Sequence, residues 1–467
     1  MATATAYPSY RASGLPWVPW LPESWQVLRN GRLFGHRVET GFPDLPILEV
    51  SLRTGVRVRD MESLKRKQVM SQKENYKRAL KGDIAYNMMR MWQGAVGPAP
   101  VDGLVSPAYV VAKPYPEANS TYFSYLFRTA AYMQEVNKFS RGIVADRNRL
   151  YWESFKQMPS LVPPRTEQDQ IVAYLRAQDA HIARFIKAKR DLIALLTEQK
   201  LRIIDRAVTR GLDASVRLKP SGIEWLREIP EHWEIQRLKN IANVVLGKML
   251  TTESKDGDGE FKPYLRSTNV QWIKPDVLDV KKMWIANSEM AQLRVSKGDL
   301  LVSEGGEVGR TCIWNEELPE CYIQNSVHRV IAKPMMLSEF LLHQFFAYGK
   351  RGRFNAIVNR VSIAHLTREK LVTIPFTVPS VNEQQIICRW ITDKCQPLDE
   401  AIQRTKDEID LIREYRDRLI FDAVTGQVDV RGWQPGPDDG VNDEELAALG
   451  DDEDGMIEEE DGDGEEE

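Results

Sequence analysis

The sequence predicts an α+β chain. Two mixed α/β domains are separated by two long helices that form an antiparallel coiled coil, the whole being a pseudo-two-fold internal repeat. Three observations carry this. Short signatures recur at an offset of 216 residues: Lys81-Gly82-Asp83 with Lys297-Gly298-Asp299, Thr166-Glu167-Gln168 with Asn382-Glu383-Gln384, and Ala207-Val208-Thr209 with Ala423-Val424-Thr425. Two segments ending the repeats keep apolar residues three and four apart over their whole length. The stretches between them mix alternating strand patterns with shorter helical ones. An offset of this size marks a duplicated domain pair rather than a short-period solenoid.

The long segments run from about Thr166 to Thr209, after Pro163-Pro164, and from about Asn382 to Thr425, after Pro379. Prolines just ahead of a Thr or Asn and a Glu are helix-start signals. The first seam passes through Ile171, Leu175, Gln178, Ile182, Phe185, Lys189, Ile193, Leu196, Lys200, Ile203 and Ala207. The second passes through Ile387, Ile391, Lys394, Leu398, Ala401, Thr405, Ile409, Ile412, Arg416, Leu419 and Ala423. Polar interruptions recur at equivalent places, which favours pairing of the two helices with each other. A helix of this length spans roughly 66 Å at 1.5 Å per residue.

The expected domains are an N-terminal extension (1–14), a first globular domain (15–161), a first spacer helix (162–212), a second globular domain (213–378), a second spacer helix (379–432) and a disordered acidic tail (433–467). Leu48, Val50, Leu52, Gly55, Val56 and Val58 read as a hairpin. The stretches 299–303 and 327–331 read as strands, and 122–139 and 338–354 as amphipathic helices. Inside the domains the offset drifts from 216 at Lys81/Lys297 to 220 at Ala112/Ala332 and returns to 216 at Leu150/Leu366. The middle of each domain has therefore diverged on a retained scaffold, as expected of two binding domains with different targets.

The formal net charge of −4 conceals an asymmetry. Residues 438–467 hold 17 acidic residues and no basic one, which leaves residues 1–437 at +13. A basic body suits a polyanion, whose counterions it releases on binding. No apolar run reaches the eighteen or so residues of a membrane span, and the first fourteen residues lack a signal-peptide pattern, so a cytoplasmic location is expected. Cys312, Cys321, Cys388 and Cys395 have neither paired short spacing nor a histidine pair, and read as reduced thiols. The six histidines show no metal or triad spacing. No Gly-x-x-x-x-Gly-Lys-Ser/Thr loop is present, and the glycine-rich Gly305–Gly309 stretch reads as a tight turn. The Asn/Asp-Pro-Pro-Tyr signature of an enzyme that flips and methylates adenine is also missing.

Further matching stretches are Met89-Arg90-Met91-Trp92-Gln93-Gly94-Ala95-Val96-Gly97 with Ser106-Pro107-Ala108-Tyr109 in the first domain, and Gly305-Gly306-Glu307-Val308-Gly309-Arg310 in the second. With the Lys-Gly-Asp turns and the Pro-to-Glu-Gln helix openings (Pro163 to Gln168, Pro379 to Gln384), residues 15–432 resemble the specificity (S) subunit of a type I restriction-modification system. The resemblance implies two target-recognition domains alternating with two spacer helices, and no catalysis in this chain. It implies as partners two copies of a DNA adenine methyltransferase subunit and, in some assemblies, motor-nuclease restriction subunits. S-adenosylmethionine would belong to the methyltransferase, and ATP and Mg to the motor-nuclease. Double-stranded DNA with a bipartite motif would be the target. The acidic tail lies outside the family pattern.

Base reading calls for forked donors and acceptors, Arg for guanine and Asn or Gln for adenine. The candidates in the first domain are Arg90, Trp92, Gln93, Arg141, Arg147, Asn148 and Arg149. In the second they are Arg266, Thr268, Asn269, Arg310, Asn359, Arg360 and Ser362. Any one of them suits a phosphate contact as well as a base. Half-sites read from one face of a duplex would be centred roughly 34–36 Å apart. Two other classes fit the repeat: a stand-alone DNA-binding regulator, and a coiled-coil scaffold that binds only protein.

Overall fold

The computed structural model describes residues 6–52, 55–59, 73–142, 148–252, 258–356, 365–446 and 449–450. The chain divides into two compact units, residues 1–191 with 405–467, and residues 192–404. Each unit thus takes the start of one long helix and the end of the other. The first long helix is Arg165–Arg210 and the second is Val381–Val424.

The repeat is visible in the sheets. In the first unit a four-stranded antiparallel sheet has the order Phe34–Arg37, Tyr109–Pro114, Ile84–Asn87, Val96–Pro98. In the second the order is Ala242–Leu246, Val327–Ala332, Leu300–Ser303, Thr311–Ile313, again antiparallel. The central strands Ile84–Asn87 and Leu300–Ser303 are buried along their whole length. Each follows a Lys-Gly-Asp turn whose glycine has positive φ, 89° at Gly82 and 85° at Gly298, a conformation glycine adopts without steric cost. The aspartates do the same work twice. Asp83 Oδ2 accepts from the backbone N of Leu80 (2.9 Å) and from Arg37 Nε (2.6 Å). Asp299 Oδ2 accepts from Ser296 N (2.7 Å) and Arg329 Nε (2.6 Å).

The drift in offset has a structural cause. Between equivalent strands the first unit inserts the hairpin Leu48–Ser51/Gly55–Val58 and the pair Lys77–Ala79/Gly103–Val105. The second instead carries a three-stranded sheet of Gly259–Leu265, Lys281–Ala286 and Tyr322–Ile323. The expected helix 122–139 is two helices, Ser120–Phe127 and Ala130–Phe139. Asn119 caps the first, and Thr129 caps the second by accepting from Tyr132 N, as short polar side chains favour N-caps over helix interiors. The helix expected over 338–354 stops at Lys350, and Gly352 (φ 68°) turns the chain away.

The Glu-Gln openings explain themselves in this fold. Trp25 Nε1 donates to Glu167 Oε1 at 2.9 Å, and Trp233 Nε1 to Glu383 Oε1 at 3.0 Å. Gln168 Nε2 donates to the carbonyls of Pro163 and Glu117, both at 3.0 Å, and its Oε1 accepts from Asn119 N. Gln384 repeats this with Pro379, Met335 and Leu337 N. The same tryptophans meet the other helix end. A Cβ on Gly426 would lie 3.3 Å from the Trp25 ring and 2.4 Å from Pro22, and one on Gly211 would lie 3.2 Å from the Trp233 ring. Both glycines have positive φ, as a helix C-cap requires.

In each unit the helix segments run antiparallel. In the first, Arg416 pairs with Asp179 (2.7 and 3.1 Å) and Lys189 with Glu408 (2.5 Å). In the second, Lys200 pairs with Asp399 at 2.6 and 2.8 Å. The polar seam positions Lys189, Lys200 and Arg416 are therefore cross-helix ion pairs. Parts of the seam lie one residue from the expected positions: Asp179, Ile186 and Ile204 are buried, whereas Gln178 and Ile203 are half-buried and Phe185 is exposed, with Lys189 over its ring. A strict three-four count fixes the stripe only to the nearest residue, and packing selects the neighbour.

Two expected boundaries are corrected. Tyr7 is buried, and strand Tyr10–Leu15 pairs with Val18–Pro22, so the stretch expected as an extension is built into the first unit. The tail expected to be disordered from residue 433 is docked along the first long helix over its described part. Trp433 meets the Tyr174 ring edge-on, and His181 Nε2 donates to Asp439 Oδ1 at 2.6 Å. Arg184 donates to the carbonyl of Asp438 at 2.7 Å. Aromatic and hydrogen-bonding partners on the helix offset what composition alone denies the segment. Residues 451–467, the rest of the acidic run, lie outside the described residues.

The Asp179–Arg416 pair lends itself to a direct test. Asp179 is buried and also accepts from Tyr125 Oη (2.7 Å). Burial opposes the charge of Arg416, but Asp179 outweighs it and raises the Arg416 pKa. Nearby, burial and then Arg416 push Arg128 down to about 10. Removing one partner of a buried pair leaves an uncompensated charge, whereas replacing both can be neutral. Asp179→Ala is expected to cost about 3 kcal/mol in urea melts of the full chain, and Asp179→Ala/Arg416→Leu to recover most of it.

Candidate nucleic-acid interface

In the first unit the buried strand Ile84–Asn87 hands over to a tight loop. Asn87 Oδ1 accepts from Met89 N (2.9 Å), and Met91 is buried as its anchor. Gly94, at φ 91°, closes the turn. Trp92 is half-buried and donates its indole N–H to the carbonyl of Met89 at 2.9 Å, so it braces the loop. Arg90 is half-buried and Gln93 exposed, and neither side chain hydrogen-bonds to another described residue. Beside this loop lies a second candidate stretch. Arg141 and Arg149 exchange backbone hydrogen bonds of 3.0 and 2.9 Å with both side chains exposed, and Asn148 donates to Asn137 at 3.2 Å. Leu150 N donates to the carbonyl of Met88 at 2.8 Å, which fastens the two stretches together. Arg147 lies outside the described residues.

The second unit repeats this return. Leu366 N donates to the carbonyl of Glu304 at 2.8 Å, and both residues stand 216 positions after Leu150 and Met88. The glycine-rich stretch 305–309 is the tight turn expected. Ser303 N donates to the carbonyl of Arg310 (2.8 Å), and Ser303 Oγ to that of Gly305 (2.8 Å). A Cβ on Gly309 would fall 2.3 Å from the Phe354 ring, so no other residue fits. Asn359, Arg360 and Ser362 lie outside the described residues. The described chain leaves and re-enters on either side of 357–364 next to this turn.

Arg266, Thr268, Asn269 and Arg310 come together, because Arg310 Nη2 donates to the carbonyl of Ser267 at 2.9 Å. Thr268 is exposed. Asn269 is 3% exposed, and its amide is spent inside the protein. Nδ2 donates to the carbonyls of Asp276 (2.9 Å) and Asp279 (3.1 Å), while Oδ1 accepts from Arg266 N. Arg266 donates to the Asp279 carbonyl (3.0 Å) and carboxylate (2.6 Å) and holds that carboxyl below its usual range. Asn269 and Arg266 therefore build the loop 269–279. The sequence signal that selected them, a polar fork beside apolar residues, does not separate a side chain that reads from one that braces.

Among the described residues, no group of three or more His, Cys, Asp or Glu residues is placed to hold a metal, and no helix is long and apolar enough to cross a membrane. All four cysteines are buried. Burial pushes the Cys321 and Cys388 thiols up to about 12 and Cys395 up to about 11.

Residues 230–411 match a family model described as the type I restriction modification DNA specificity domain. The match covers the second globular domain and most of the second long helix. Two relatives from Methanocaldococcus jannaschii agree. The MjaX type I specificity subunit is 22% identical over 316 residues, covering 66% of this chain and 68% of that protein. The MjaVIII subunit is 20% identical over 291 residues, covering 59% and 64%. A chain solved in work on complex assembly and conformational transition of the type I R-M system superposes with a TM-score of 0.60. It is 14% identical and covers 87% of this chain and 99% of that one, a likeness of fold.

The two kinds of polar residue separate by stability. Asn269→Ala removes the hydrogen bonds by which this buried amide ties Arg266, Asp276 and Asp279 together, and is expected to lower stability by about 2 kcal/mol in urea melts. Arg90→Ala should leave the melt unchanged.

Proposed function

We propose that this chain is a type I restriction-modification specificity subunit that reads a bipartite DNA motif, one half with each unit, and directs adenine methylation there by two copies of a methyltransferase subunit. Motor-nuclease subunits would join for cleavage. S-adenosylmethionine serves the methyltransferase, and ATP and Mg the motor-nuclease. The observation that carries the reading is the doubled return, Leu150 N to Met88 and Leu366 N to Glu304. In both units it brings the chain back to the segment that follows the buried central strand. Two copies of one platform with different loops suit two different half-sites.

Within this reading Arg90, Gln93, Arg141 and Arg149 face the DNA in the first unit, and Thr268, Arg310 and the stretch containing Asn359, Arg360 and Ser362 in the second. The positive body supplies sequence-independent attraction, and the loops supply the discrimination. A wrong base at a bidentate contact costs about 1–3 kcal/mol.

The test is a map of adenine methylation in cells with and without this chain. Methylation at one split motif that disappears with the chain is expected. Methylation unchanged by its removal, while the partner subunits are expressed, contradicts the reading.

A further inference from the structure

The tip of the loop 269–279 is Leu278, which is 94% exposed. A lone exposed leucine on a protein surface is ordinary, so exposure alone argues nothing. The loop beneath it is not ordinary. Asn269 binds both ends of the tip through Asp276 and Asp279, and Asp276 N returns a hydrogen bond to the Asn269 carbonyl at 2.8 Å. Asp276 Oδ1 accepts from the N–H of Leu278 itself at 3.0 Å. Val277 and Val280 pack inward on the core of the three-stranded sheet, which directs Leu278 outward. Ile273, a β-branched residue, is held at φ 75° by hydrogen bonds to and from Thr311 and Ile313. Strain of this kind persists only where the surroundings over-determine it, and it gathers at functional sites.

The local charge indicates what the tip meets. Between positions 266 and 282 stand Arg266, Lys274, Lys281 and Lys282 against Asp276 and Asp279. One of the two carboxylates is neutralised by Arg266, and the other is engaged by the Leu278 N–H. The loop is joined through Ser267 to Arg310, a DNA-facing residue of the proposed function. A rigid apolar tip on a basic surface matches the one apolar group that a base pair shows in the major groove, the 5-methyl of thymine.

We propose that Leu278 is a specificity-determining residue that contacts a thymine methyl in the half-site read by the second unit, with Asn269 and Arg266 as its positioning residues. This rests on the proposed function and adds to it a base and a contact.

The experiment uses the full chain in complex with its methyltransferase partner, on duplexes carrying the motif that the methylation map gives. Each thymine of the second half-site is replaced in turn by uracil, which lacks only the methyl. At about 0.8 kcal/mol per buried methyl, wild type is expected to bind about fourfold more weakly at one such position. Leu278→Ala should bind the thymine and uracil duplexes equally and, because the side chain is exposed, melt as wild type does. A half-site without thymine, indifference to uracil at every position, or equal uracil sensitivity in Leu278→Ala overturns the contact alone. So does a variant weakened by the same factor on motif and random DNA, which is the behaviour of a non-specific wedge. A wild-type complex with no motif overturns the proposed function and the contact together.

Discussion

One interaction organises each unit: a carboxylate in the first turn of a long helix accepts the indole N–H of a tryptophan in the globular part. Glu167 does this for Trp25 and Glu383 for Trp233. A hydrogen bond to a charged acceptor contributes more than a neutral one, about 1.5–3 kcal/mol. Its value here is also topological. The ring that donates the N–H packs against the glycine ending the other long helix, Gly426 beside Trp25 and Gly211 beside Trp233. A helix start, a helix end and a domain wall thus share one side chain. The glutamine that follows each glutamate ties the same turn to the chain ahead of a core helix.

With the helix ends fastened, the rest of each unit has little freedom in how it is arranged. The central strand enters from a Lys-Gly-Asp turn, runs through the core and emerges into a loop, and a later segment returns to that loop by one backbone hydrogen bond. The hydrogen bonds at Met88 and Glu304 are equivalent, but the loops around them are not. Gly309 is packed against Phe354, whereas Arg90 and Gln93 sit on a short turn anchored by Met91. Divergence has collected where the scaffold permits it, in the loops rather than in the strands that carry them.

The recurrence at 216 made the shared topology legible, because the residues it preserved are those whose geometry cannot be exchanged: the turn glycines, the Asp that closes each turn, and the Glu-Gln pair. The helices were legible from periodicity, and three of the polar seam positions, Lys189, Lys200 and Arg416, proved to be ion pairs. Composition misjudged residues 433–446, since it does not show that Tyr174, His181 and Arg184 wait on a helix face. Polar type did not show that Asn269 and Arg266 hold a loop through Asp276 and Asp279. Leu278 carried no sequence signal, because an apolar residue between two aspartates reads as unremarkable until the loop is seen to turn it outward.

Hydrogen exchange on the Glu383→Ala variant tests the shared anchor most directly. If the carboxylate joins both helices to the domain, exchange should accelerate roughly tenfold or more, the equivalent of about 1.4 kcal/mol. The acceleration should appear at the start of the second long helix and also at the end of the first, over 204–211, while 165–171 and 420–426 keep their protection. Acceleration confined to the first turn after residue 383 would show that the glutamate serves only its own helix, and would contradict the account.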